Sequence, residues 1–234
     1  MRIAVAWFCL CLTAHAQNIW VKAPSEKQLQ ETPGLKHFVF ESRFMKTNVG
    51  YNVVLPAGYE DGKERRYPVV YWLHGGGGNE SSTLFTAKAW IDLTKAGEID
   101  PVILVYPNGF RSGCMDHADG KVMVESMIIR ELIPRIDREF RTIAEGRGRA
   151  IDLATTQDPF VVNILKRNCG DTDIWLTSAV KWQGDLLAKH IPCELITVPA
   201  TAHNLRAVFK AEGKSSARFQ DQVFKAHSNR DVRR

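Results

Sequence analysis

Several features are missing from this sequence of 234 residues. Its most extended apolar run, Ile3 to Leu12, falls short of the roughly eighteen residues that a membrane-spanning helix needs. No Cys-x-x-Cys or Cys/His cluster has zinc spacing, so neither a structural metal nor any other cofactor is expected. The formal charge of +5 is modest, and its late excess sits in "SNRDVRR", Ser228 to Arg234. That excess reads as a frayed, solvated tail. Basic residues are not interleaved with aromatics as in single-strand binders, so no nucleic-acid partner is expected. Internal repeats, linkers and low-complexity tracts are also missing, which favours one domain. Finally, no G-x-S-x-G occurs anywhere. The strained strand-to-helix turn that lifts a serine hydroxyl out of a sheet therefore has no sequence to encode it.

What is present begins with a leader. Arg2, the run Ile3–Leu12 and the ending Ala14-His15-Ala16 predict a secretory signal peptide over 1–16; an uncleaved anchor is the alternative. A single domain over 17–234 would follow, secreted or periplasmic, with no further membrane attachment. Three cysteines would remain, Cys114, Cys169 and Cys193, an odd number whose pairing the sequence leaves open.

"KHFVFESRF" and "GYNVVLP" alternate like strands. Val69–Leu73 and "PVILVYPNG" are continuous apolar runs that predict buried, parallel-type strands. "SSTLFTAKAWIDLTKAG" has helical spacing, with serines at its start to cap it and Gly97 at its end. Val124, Ile128, Leu132, Ile136 and Phe140 recur every fourth position, so this helix should pack on a sheet, with a kink at Pro134. "GRAIDL" begins another strand and "CELITV" is a late one. Strands alternating with helices define an α/β class with a mainly parallel sheet flanked by helices.

Three segments carry candidate chemistry. His74-Gly75-Gly76-Gly77-Gly78 follows a buried strand. Glycines there let backbone N–H groups approach a developing oxyanion, although a flexible turn would use them equally well. Asp173, in "CGDTDIWL", precedes a helix-like segment; it or Asp171 would orient an imidazole, or act only as a cap or turn residue. His203 lies just beyond "ELITV", thirty positions after Asp173, where a general base belongs if it is not merely a surface histidine.

Together with "GYNVVLPAGYEDGKERRYPVVYWLHGGGGNESS" and "VESMIIRELIPRIDREFRTIAEGRGRAI", these segments resemble the secreted esterase branch of the α/β-hydrolases, the group holding esterase D, feruloyl esterases and mycolyltransferases. The resemblance implies hydrolysis of a small carboxylic ester by a Ser/His/Asp triad. His203 would be the base, Asp173 its orienting acid, and Gly75, Gly76 and Gly77 the oxyanion loop. His74, Asn108, Asp116 and His117 would line the cleft; Asp116, His117 and Asp119 also read as a hydrated turn.

No residue fills the nucleophile's place. "GRAIDL" runs into Ala154-Thr155-Thr156, and only seven residues separate Leu153 from Val161. A parallel crossover takes roughly a dozen or more. The threonines lack the small neighbours of a tight elbow, and Ser178 lies beyond the acid, where it reads as a helix cap. An internal truncation after the strand at 149–153 is therefore expected, with apolar surface exposed where a covering helix is lost. The resulting expectation is an esterase-like chain of impaired or absent activity; a noncatalytic protein binding an ester or carbohydrate ester, or a non-functional gene fragment, are the alternatives. Oligomeric state is not legible.

Overall fold

The computed structural model describes residues 18–61, 63–153, 165–170, 184, 188, 193–200 and 204–231. The predicted leader, Thr155, Thr156, Asp173, Ser178 and His203 lie outside them.

A short helix, α1 (Glu26–Glu31), precedes the sheet and is closed by a capping box between Ser25 and Gln28. The strands β1 (Leu35–Ser42), β2 (Thr47–Val54), β3 (Val69–Leu73), β4 (Ile103–Pro107) and β5 (Arg149–Leu153) form one sheet in the order β1-β2-β4-β3-β5. β1 and β2 join antiparallel, and β2 meets β4 antiparallel; β4, β3 and β5 are mutually parallel. Every residue of β3 and β4 is buried, as the unbroken apolar runs predict for strands covered on both faces.

The pleat sorts their side chains. Val69, Tyr71, Leu73, Ile103 and Val105 pack with Val124, Met127, Leu132 and Ile136 on one face. Val70, Trp72, Leu104 and Tyr106 pack with Leu84, Trp90 and Leu93 on the other. That second face is covered by α2 (Ala87–Lys95) and by α5 (Leu205–Asp231), which contributes Ala217 and Phe224. α5 runs to Asp231, so Ser228–Asp231 of the expected tail are helical.

Two local expectations change in detail. The serines of "SSTLF" do not cap α2: a 3₁₀ turn, Leu84–Thr86, precedes it, and the N-cap residue Thr86 makes no side-chain cap bond. Ser81 is instead drawn into a buried network described below. The kink at Pro134 takes the form of a π turn, Ile128–Leu132, between α3 (Val124–Met127) and α4 (Ile133–Glu139). Pro134 lacks an N–H and its ring crowds the carbonyl four residues back, so the ladder widens by one residue ahead of it. Glu131, on that turn, accepts the Ser42 hydroxyl at 2.5 Å and the Arg43 N–H at 3.0 Å, tying the helix to the β1–β2 turn.

β5 pairs with β3 up to Leu73 opposite Leu153. Among the described strands nothing pairs with its other side. β6 (Leu165–Gly170) and β7 (Cys193–Val198) form a separate parallel pair. Among the described residues, none after "GRAIDL" forms a strand beside β5; residues 154–164, where the truncation is expected, lie outside the described residues.

Candidate active site

The site grows from the C-terminal end of β3. His74 is only 3% exposed. Its Nδ1 lies 2.7 Å from the Gly75 carbonyl oxygen and its Nε2 accepts the Gly109 N–H at 2.8 Å. An acceptor at Nε2 and a carbonyl at Nδ1 fix the proton on Nδ1. Burial holds the imidazole below its usual pKa, which agrees with a neutral ring. His74 is therefore a staple between the β3 and β4 loops, lying beneath the surface instead of lining a cleft.

The four glycines then divide the work. Gly77, at φ +79°, donates its N–H to the Phe110 carbonyl at 3.2 Å; Gly78 donates to the Gly75 carbonyl at 3.0 Å. A Cβ on Gly78 would sit 2.7 Å from His74 Nδ1, whereas one on Gly76 would meet nothing within 4 Å. The Gly75 and Gly76 N–H groups are left without a partner among the described residues. They directly follow the buried strand β3, and Gly76 is exposed.

The β4 loop forms the wall beside them. Phe110 (φ +42°), Gly113 (φ +66°) and Cys114 (φ +62°) all take left-handed conformations, which costs non-glycine residues about 1–2 kcal/mol each. Cys114 is buried. Trp20 meets Phe110 edge to face, with ring centroids 5.8 Å apart, and the Arg111 guanidinium lies over the Phe110 ring.

Asn108 is fully buried and bonds Glu80 and Phe110. Asp116 accepts the Ser126 N–H and hydroxyl, at 3.0 and 2.6 Å, so it caps α3 from outside the helix. His117 is exposed on a hairpin held by its own N–H to Val122 and by Gly120 N–H to its carbonyl. The structure thus brings His74 and Asn108 together under the glycine loop and sets Asp116 and His117 on the hairpin leading into α3. Among the described residues no group of His, Cys, Asp and Glu could hold a metal ion.

Asp173 and His203 lie outside the described residues. Their flanking strands are informative: β6 and β7 are parallel with Gly170 opposite Val198, so the connections that carry the two residues leave from the same end of the pair. Asn204, directly after His203, caps α5 by accepting the Ala207 N–H at 3.1 Å.

One residue was not anticipated. Glu80 is fully buried and accepts from Lys22 N–H and Asn108 Nδ2. The signal for it is Gly50, a glycine inside an alternating strand, which marks a close approach: a Cβ there would lie 2.0 Å from Glu80 Oε1.

Comparison with known proteins agrees with this architecture. Residues 42–151 match the family described as "Putative esterase". It is 35% identical over 126 residues to an esterase of Mycobacterium tuberculosis, an alignment spanning 52% of this chain and 27% of the relative. It is 39% identical over 109 residues to an endo-1,4-beta-xylanase/feruloyl esterase of Xylanibacter ruminicola, spanning 43% of this chain and 15% of the relative. The chain thus spans about a quarter or less of the length of these curated relatives. Among solved structures it resembles a ferulic acid esterase with a TM-score of 0.70, at 17% identity, covering 81% of this chain and 98% of the other. A second ferulic acid esterase, from Anaeromyces mucronatus, gives a TM-score of 0.65 at 17% identity, with coverage of 82% and 91%.

Proposed function

We propose that this chain is a carboxylic-ester-binding member of the esterase family whose hydrolysis is impaired, because no hydroxyl nucleophile follows β5. The observation that carries the reading is the pair of Gly75 and Gly76 N–H groups that directly follow β3 and have no partner among the described residues, a place where a carbonyl oxygen would be polarised. The names of the relatives make hydroxycinnamate esters a sensible first series of ligands. In this reading His203 is the base and Asp173 orients it. Without a covalent step His203 would activate water directly, and acid–base help alone supplies about a hundred- to ten-thousandfold.

The test is hydrolysis of short p-nitrophenyl esters by the purified protein, beside a His203→Ala control. A slow rate that falls in the control supports general-base catalysis; equal rates remove His203 from the mechanism. The missing G-x-S-x-G favours a second reading, a noncatalytic protein that holds an ester or carbohydrate ester. Saturable binding by isothermal titration, without turnover, would support it. The leader motif supports export to the secreted or periplasmic space, which N-terminal sequencing of the recovered protein would check.

A further inference from the structure

Resting on that ester-site reading, we propose that Glu80 is a positioning residue, a buried carboxyl group that sets the oxyanion loop without touching ligand. Three cross-links join the β3 loop to the β4 loop: Glu80 Oε2 accepts Asn108 Nδ2 at 2.6 Å, the Phe110 carbonyl accepts Gly77 N–H at 3.2 Å, and His74 Nε2 accepts Gly109 N–H at 2.8 Å. Glu80 governs the first and, through it, the second. By demanding a donor from Asn108, it turns the amide so that Asn108 Oδ1 faces the Phe110 N–H, 3.0 Å away. That bond closes the turn in which Phe110 takes φ +42° and aims its carbonyl at Gly77. With Gly77 engaged, Gly75 and Gly76 remain as the open donors.

The other carboxyl oxygen recruits the N-terminal strap. Glu80 Oε1 accepts the Lys22 N–H at 2.5 Å and stands 3.3 Å from His37 Nε2. The strap is held further by Ser81 Oγ donating to the Lys22 carbonyl at 2.8 Å, by Gly50 N–H to the Trp20 carbonyl at 2.7 Å and by Asn108 Nδ2 to the Ile19 carbonyl at 3.3 Å. It sets the Trp20 ring against Phe110. One buried side chain therefore fixes the loop, its wall and the segment that braces the wall.

Replacing Glu80 by Gln tests this by donor and acceptor accounting. If the new amide oxygen keeps the Lys22 N–H, its NH₂ faces the Asn108 NH₂. Asn108 must flip to meet it and so abandons the Phe110 N–H. The double variant E80Q/N108D supplies a donor at position 80 and acceptors at position 108, restoring both of these bonds and giving up only the longer Asn108 bond to the Ile19 carbonyl. Hydrogen exchange reads the outcome without any turnover. In E80Q the Gly77 and Phe110 amides should exchange at least tenfold faster while β1 and β3 amides keep their rates, and in E80Q/N108D the slow exchange should return. Unchanged exchange in E80Q, or an increase spread evenly over the sheet, would overturn the proposal. Should E80Q fail to fold, fast exchange at Gly77 and Phe110 in the double variant alone overturns it. If the wild type turns over p-nitrophenyl acetate, E80Q should lower kcat at least tenfold with KM within twofold; an equal change in both would contradict a positioning role. A wild type without turnover counts against the ester reading and leaves the exchange result standing.

Discussion

β3 and β5 lie side by side, parallel and in register to their last residues, Leu73 and Leu153, yet their exits could hardly differ more. β3 leads into a loop in which His74, Gly77, Gly78 and Glu80 each have an assigned hydrogen-bond partner and Gly75 and Gly76 are left open. β5 leads into Ala154-Thr155-Thr156, a sequence with no glycine to turn on and no serine to present. The contrast teaches that a donor loop and a nucleophile elbow are held by separate physics. The donor loop is fixed by a buried polar network belonging to β2, β3, β4 and the strap. A nucleophile elbow would be fixed by its own backbone strain and by the helix after it. On the proposed reading, the first can therefore stand without the second.

The comparison breaks most dramatically if the missing half can be supplied. Inserting an elbow, helix and strand carrying G-x-S-x-G in place of residues 154–160 should raise p-nitrophenyl ester hydrolysis by on the order of a thousandfold. No gain in a folded graft would mean that the donor loop is not competent. Next in size, Gly50→Ala should destabilise by about 1–3 kcal/mol in urea unfolding, because its methyl would overlap Glu80 Oε1. Gly76→Ala, where a Cβ meets nothing, should stay within about 0.5 kcal/mol.

A smaller effect concerns pH. Burial lowers the His74 pKa below its usual value, so between about 6.5 and that lower value the unfolded chain binds more protons than the folded one. The His74 contribution to stability is then complete above about pH 6.5 and is lost as pH falls toward the folded pKa. Thermal unfolding from pH 7.5 to 5 should show this loss in the wild type and a shallower slope in His74→Gln. Least of all, Thr155→Ala and Thr156→Ala should leave any ester hydrolysis within about twofold, since neither has the glycine-flanked setting that activates a nucleophile.

Much of this contrast was legible in the chain itself. The runs Val69–Leu73 and Cys193–Val198 match their strands residue for residue; for Val69–Leu73 the reason is that a strand buried on both faces writes itself as uninterrupted apolar residues. The glycine cluster after β3 and the missing elbow after β5 are local patterns and were equally readable. Glu80 was not, because a carboxylate in "GGGGNESS" looks like a solvated loop residue until Gly50, thirty positions earlier, is seen to leave room for it. The role of Asn108 depends on the same distant partner. His74 looked like a cleft residue because its position after the strand is a property of sequence, whereas its burial depends on Gly109 folding back over it. The π turn before Pro134 escaped for a related reason: proline announces a disruption but not how the helix absorbs it.

The central claim is that a polarising loop persists beside a place where no activated hydroxyl stands. Intact-mass analysis of the purified chain after incubation with a fluorophosphonate tests it most directly, since such reagents mark an activated serine or threonine through a covalent phosphonyl bond. We expect the mass to remain unchanged at reagent concentrations that fully label an intact serine esterase run alongside. A stoichiometric single adduct, abolished by His203→Ala, would contradict the account.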